Sequence, residues 1–244
     1  MNCTLKKKYA LARAPTPMLC TEKFHQVFSE PLPLDSQGLL REVEGIALPG
    51  TKFKIMDEIE GNILKVTTQE YPQNVFVDRR FLFFCDEEPP ERMPHLRSKD
   101  QILEILQTCL GFPYVWGGNW PCLNDFKMLQ GFDCSGLLYY ATDGITPRNT
   151  SDLIHFGVGV PICGMDAHSI AKILEPLDLI VWKGHVIIVG QNQRSIESLA
   201  GKGVVEHCLL DRIEQVIQND FKVPVNTYGG SSEKVFVVRR FIHK

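Results

Sequence analysis

The segment Gly131–Tyr140 reads GFDCSGLLYY. Cys134 stands just ahead of an apolar run, Leu137 to Ala141, and Gly144 follows at the distance expected of a helix C′ residue. The spacing therefore predicts a helix that opens at Cys134. A thiol at that place meets free backbone N–H groups and the positive end of the helix dipole, and both favour a thiolate. The same N–H groups can hold the oxyanion formed when a thiolate attacks an acyl carbon. Such a nucleophile needs a base, usually a histidine oriented by a third group.

The chain has seven histidines. His25, His95 and His243 fall in the first part of the chain, a proline-rich segment and the C-terminus, which makes them poor partners. His155 and His168 read as surface residues, and His207 as an exposed residue of a polar turn. His185 differs, because it follows Lys183-Gly184 and opens the strand-like run HVIIV. If the next hairpin turns about Gln191, antiparallel pairing sets His185 directly opposite Glu197, with Cβ atoms about 5 Å apart. A carboxylate there fixes the imidazole tautomer and stabilises the imidazolium.

The elements that must carry these residues are legible on either side. Ser98 and Gln101 form a capping box ahead of a stripe of Ile102, Leu103, Ile105, Leu106, Cys109 and Leu110, and Gly111 with Pro113 ends that helix. Leu179–Trp182, His185–Val189 and Arg194–Ser198 read as antiparallel strands, and Val235–Phe241 as a last one. Helices grouped ahead of an antiparallel sheet predict an α+β domain over residues 98–244. Residues 86–97, DEEPPERMPHLR, read as a linker. Ahead of it, Tyr9–Arg13, Gly38–Val43, Thr51–Asp57, Ile63–Thr68 and Asn74–Phe76 read as short strands, so residues 1–85 are expected to form a small β-barrel.

Composition narrows the classes of function. With 44% hydrophobic and 23% charged residues and a formal net charge of −3, the 244-residue chain fits a globular protein of one or two domains. The charge offers no general attraction for phosphate backbones, so no nucleic-acid partner is expected. No stretch of 18 apolar residues is present, which predicts no transmembrane segment. The eight cysteines contain no C-x-x-C pair, so neither a zinc ribbon nor a thioredoxin-type redox pair has support, and the cysteine–histidine chemistry itself requires no metal or cofactor. The N-terminus lacks the apolar core of a secretory signal, and a reducing, cytoplasmic setting is expected, with export to the cell envelope by another route as the alternative.

The ordered motifs YVWGG (114–118), FDCSG (132–136), TPRNTSD (146–152), LDLIVW (177–182) and His185-Val186 resemble the NlpC-type family of bacterial cell-wall cysteine endopeptidases. The resemblance covers about residues 98–244 and implies a papain-like fold. The first 85 residues look like the bacterial SH3-like modules that often precede such domains. What the resemblance implies is hydrolysis of peptidoglycan stem peptides or muropeptides, at the bond between γ-D-glutamate and a diamino acid such as meso-diaminopimelate. On the matching positions Cys134 is the nucleophile, His185 the base and Glu197 the orienting residue. The resemblance further implies that Tyr114 lines the site and that Asp133 and Ser135 fix the substrate, in some members through a free L-alanine amine. A carboxylate at Asp133 suits an ammonium, and it equally suits the cap of the helix that Cys134 opens.

Three departures stand out. The third position of the family is commonly His, Asn or Gln and here is Glu197. The usual glycines after the histidine and before Asp178 are Ile187 and Leu177. The link Asn119–Gln130 is longer than usual and predicts a loop that borders the cleft. The alternatives are a papain-like amidase or acyltransferase acting on another substrate, and a catalytically degenerate wall-binding protein.

Overall fold

The computed structural model describes residues 7–121, 129–230 and 234–241; Cys3, Cys122 and His243 lie outside them. By contacts the chain divides into two compact units, Met1–Pro94 with Val115–Gln130, and His95–Tyr114 with Gly131–Lys244.

In the first unit, alternating apolar positions build seven antiparallel strands. They are β1 (Tyr9–Ala12), β2 (Thr16–Leu19), β3 (Val43–Ala47), β4 (Lys52–Glu58), β5 (Ile63–Thr68), β6 (Tyr71–Asp78) and β7 (Leu82–Cys85), with a single helical turn, α1 (Phe24–Val27), between β2 and β3. The sheet runs in the order β3-β2-β6-β5-β4-β1-β7. Phe53, Leu64, Val66, Val75 and Val77 fill its core. The expected strands differ from the observed ones in two places. Gly38–Val43 is not a strand, because Asp35 accepts hydrogen bonds from the backbone N–H of Gln37 (2.8 Å) and Leu39 (2.9 Å) and from Arg41 Nε (2.6 Å), winding the segment into a turn. The strand starts only at Val43. β2 was not among the expected strands; it contains Pro17, which sits in register with Ile46.

Residues Val115–Gln130 fall inside the range expected of the second domain, but by contact they group with the first unit. The glycines of YVWGG have a physical role here. Gly117 lies at φ +71°, and a Cβ on it would come within 2.4 Å of the Val43 carbonyl oxygen, so only glycine permits the approach. Asn119, opening the short strand β8 (Asn119–Trp120), then bonds Ile46 twice, accepting from its N–H (2.7 Å) and donating to its carbonyl (2.8 Å).

The second unit is α+β, as expected. Its elements are α2 (Lys99–Thr108), β9 (Gly131–Phe132), α3 (Cys134–Ala141), α4 (Thr150–Leu153), β10 (Val158–Val160), α5 (Ala167–Ile173), β11 (Leu179–Trp182), β12 (His185–Val189), β13 (Arg194–Leu199), β14 (Gly203–Cys208), α6 (Leu209–Gln218), β15 (Val223–Pro224) and β16 (Val235–Arg240). The antiparallel order is β10-β16-β11-β12-β13-β14, with β15 added in parallel to β16. The capping box at Ser98 and Gln101 is formed as read.

The sheet is buried on both faces, which is why its strands read as unbroken apolar runs. Val186 and Ile188 of β12 pack with α2 and α3, while Ile187 and Val189 pack with α5 and α6. Arg97 donates to the carbonyls of Tyr140 (2.7 Å) and Ala141 (2.9 Å), placing a cation at the C-terminal end of α3. Among the described residues no helix is long and apolar enough to cross a membrane.

Candidate active site

α3 begins at Cys134, and Asp133 is its N-cap, accepting from the Gly136 N–H at 2.6 Å. The thiol is 6% exposed, and its Sγ lies 3.8 Å from the Gly184 carbonyl oxygen. Gly184 occupies the two-residue turn that joins β11 to β12, at φ +94°, a value open to glycine and strained for other residues. Its N–H donates to Thr150 Oγ1 at 3.0 Å. Thr150 of the TPRNTSD motif therefore holds the turn that delivers His185.

His185 and Glu197 meet, though not by the register expected. The observed pairs are Ile188 with Ile196 and Val189 with Ser195. Continued along the strands, this register sets His185 opposite Leu199 and Glu197 opposite Ile187. The turn sits one residue later because Asn192 (φ +52°) and Gln193 (φ +56°) both take the left-handed conformation and Arg194 N–H closes on the Gln191 carbonyl. The slip preserves the face, so His185 and Glu197 become diagonal neighbours within side-chain reach. His185 Nε2 donates to Glu197 Oε2 at 2.7 Å. The ring also interacts electrostatically with Cys134.

The electrostatics follow from this bridge. Burial lowers the His185 pKa, but the interactions with Cys134 and Glu197 outweigh it and raise the value to about 9. Burial alone raises that of Glu197, but His185 and Arg212 together hold it down to about 2. At neutral pH the arrangement holds an imidazolium against a carboxylate. Trp182 covers the imidazole, with ring centroids 5.0 Å apart.

The other expected site residues are placed as follows. Tyr114 bridges Phe132 in parallel, which sets it alongside the chain entering Cys134. Asp133 and Ser135 are buried and tied to Arg148. The guanidinium donates to Asp133 Oδ1 (3.0 Å) and Oδ2 (2.6 Å) and to Ser135 Oγ (3.0 Å). Of the two roles open to Asp133, the capping one is formed, and its carboxylate is also bonded to Arg148.

Three polar residues escaped the sequence reading. Arg148 lies in the TPRNTSD motif. Arg212 donates from Nε to Glu197 Oε1 (2.6 Å) and from Nη2 to Oε2 (3.1 Å). His207 is not in an exposed turn but in β14, with Nε2 3.9 Å from Glu197 Oε1. The signal for Arg212 was available, since it interrupts the apolar stripe Leu209, Ile213, Val216 of α6, and an arginine on a buried stripe calls for a buried anion. The six described cysteines are free thiols. Among the described residues no cluster of three His, Cys, Asp or Glu side chains is placed to hold a metal.

No family model matches the chain. Over 84 residues it is 33% identical to the "Probable endopeptidase YafL" of Escherichia coli, covering 32% of this chain and 31% of that protein. Over 83 residues it is 36% identical to the γ-D-glutamyl-L-lysine dipeptidyl-peptidase of Bacillus subtilis, covering 32% and 25% respectively. The matched segment thus spans under a third of either relative. A solved NlpC/P60 family protein from Bacillus cereus aligns with 96% of this chain and 64% of its own, at 18% identity and a TM-score of 0.39. The chain is thus similar in sequence to proteins that are named as peptidases.

Proposed function

We propose that the protein is a cysteine endopeptidase that cleaves peptidoglycan stem peptides at the bond between γ-D-glutamate and a diamino acid. The observation that carries this reading is the His185 ring, hydrogen-bonded to a fully buried Glu197, with Cys134 at the start of α3 reaching the turn that delivers the ring. The names of the two curated relatives support the reaction class, and that of the B. subtilis relative supports the bond.

In this reading the imidazole holds the Cys134 proton and the thiolate attacks the γ-carbonyl carbon of the glutamyl residue. Backbone N–H groups at the start of α3 face the oxyanion that results. Collapse of the tetrahedral intermediate breaks the C–N bond, and the His185 imidazolium gives its proton to the departing amine. Water, deprotonated by the neutral imidazole, then attacks the thioester, and the thiolate leaves as the acid is released. Glu197 holds Nε2 throughout, so the other ring nitrogen stays turned to sulfur.

The test is incubation of the pure protein with defined muropeptides, followed by mass spectrometry of the products. The expected result is a pair of fragments cut at the γ-D-glutamyl link, absent with Cys134→Ala. Intact muropeptides after prolonged incubation, or cleavage that survives Cys134→Ala, would overturn the proposal.

A further inference from the structure

Glu197 brings a charge to a position where the resembled family commonly has a neutral side chain or an imidazole. It is 0% exposed, so water does not moderate that charge. Every element packed around it contributes a group. His185 reaches it from β12, and His207 approaches from β14 with a buried Nε2 that has no hydrogen-bond partner. Arg212 meets it from α6, and Asp220 lies beyond, 3.4 Å from Arg212 Nη1. Cys134 of α3 acts electrostatically on the imidazole that Glu197 holds. Of these, only Arg212 touches both carboxylate oxygens, at 2.6 and 3.1 Å, while being 8% exposed itself.

A guanidinium fork on both oxygens fixes the plane of a carboxylate as a single ammonium cannot. It also cancels the charge that would otherwise bind the imidazolium too firmly for it to release its proton.

We propose that Arg212 is a positioning residue, and that Glu197 and Arg212 act as one unit, a buried ion pair that orients the histidine. The proposal rests on the peptidase reading for its catalytic meaning, while its electrostatic core can be measured without substrate.

The unit predicts opposite effects from its two halves. Arg212→Met leaves an uncompensated carboxylate beside His185, which then holds its proton to higher pH. Glu197→Gln leaves a buried guanidinium near the ring, which then loses its proton at lower pH. Each shift is expected to be on the order of one pH unit, the usual effect of a close charge. The double variant removes both charges together, which buried pairs tolerate better than loss of one partner. Its His185 should titrate close to the wild-type value.

The experiment is an NMR titration of the His185 imidazole in wild type, the two single variants and the double variant, with kcat and KM measured in parallel. Expected are shifts of opposite sign in the singles and near-cancellation in the double. A double-variant kcat above that of Glu197→Gln, with KM little changed throughout, completes the pattern. Arg212→Lys keeps the charge but not the fork. It should titrate as wild type and lose kcat several-fold, which covers the case of a Met variant that folds poorly. Unshifted titration in Arg212→Met with only a lower melting temperature would overturn the proposal, as would shifts that fail to cancel in the double variant. Absence of peptidase activity in the wild type would sink the peptidase reading and leave the titration result standing.

Discussion

Arg148→Met tests how the nucleophile is held. The guanidinium is 4% exposed and makes two bonds to Asp133, itself 8% exposed, and a third to Ser135. Removing one partner of a buried ion pair costs about 3–5 kcal/mol, because the remaining charge is left without compensation. Asp133 keeps its bond from the Gly136 N–H, which places the expected loss at the lower end, about 3 kcal/mol. For a chain of this length each kcal/mol moves the midpoint by about 2–4 °C, so the transition that includes α3 should fall by roughly 6–12 °C. The double variant Asp133→Asn/Arg148→Met removes both charges while Asn still caps the helix, and it should recover at least half of the loss. Urea denaturation and thermal melts at pH 7, compared across the single and double variants, supply the measurement. A single variant within about 1 kcal/mol of wild type would refute the reasoning, since a solvated pair costs no more than that.

Other consequences follow from the same geometry. Activity should have an alkaline limb near pH 9, set by His185, whose pKa is about 9; a limb near 6.5 in the kcat profile would contradict the coupling of His185 to Cys134 and Glu197. The same residue stabilises the fold fully below its ordinary value of 6.5, and that contribution is lost as pH rises towards 9, whereas the contribution of Glu197 is lost only as pH falls from 4.5 towards 2, which denaturation across pH will check. Iodoacetamide at neutral pH should modify Cys134 ahead of the exposed Cys20 and Cys163, and His185→Ala should abolish that lead; Cys109, pushed up to about 11 by burial, should stay unmodified. Gly184→Val forces a β-branched residue to φ +94°, costing about 1–2 kcal/mol and displacing His185, so kcat should fall at least ten-fold with KM little changed, as steady-state kinetics will show.

Much of this site could be read from the chain because its signals are local. The capping box at Ser98, the cysteine ahead of an apolar run and the histidine after Lys183-Gly184 each depend on a few neighbouring residues. The hairpin register was missed because its turn, Gln191–Arg194, carries left-handed Asn192 and Gln193 with no glycine inside to mark them. The face of Glu197 was nevertheless right, because pairing a residue with a position two places away leaves it on the same side of the sheet. Leu177 shows the opposite situation. It departs from the glycine of the resembled family, yet its φ of +75° keeps the left-handed backbone that glycine would suit, with its side chain buried at 2% exposure. Burial of a leucine, about 2 kcal/mol, outweighs the strain of about 1–2 kcal/mol. The partners of Arg148 and Arg212 were not legible for another reason. Each arginine is 15 residues from the carboxylate it holds, and no local pattern links an arginine to a partner across packed elements.

The central claim is that Cys134 forms an acyl-enzyme with help from the His185–Glu197 pair. Rapid-quench intact-protein mass spectrometry with a γ-D-glutamyl muropeptide measures that species most directly. The account predicts a transient mass increase equal to the acyl fragment, mapped by peptide digestion to Cys134 and absent in Cys134→Ser and His185→Ala. Cleavage of the muropeptide with an unmodified Cys134 at every time point, and undiminished turnover by Cys134→Ser, would contradict it.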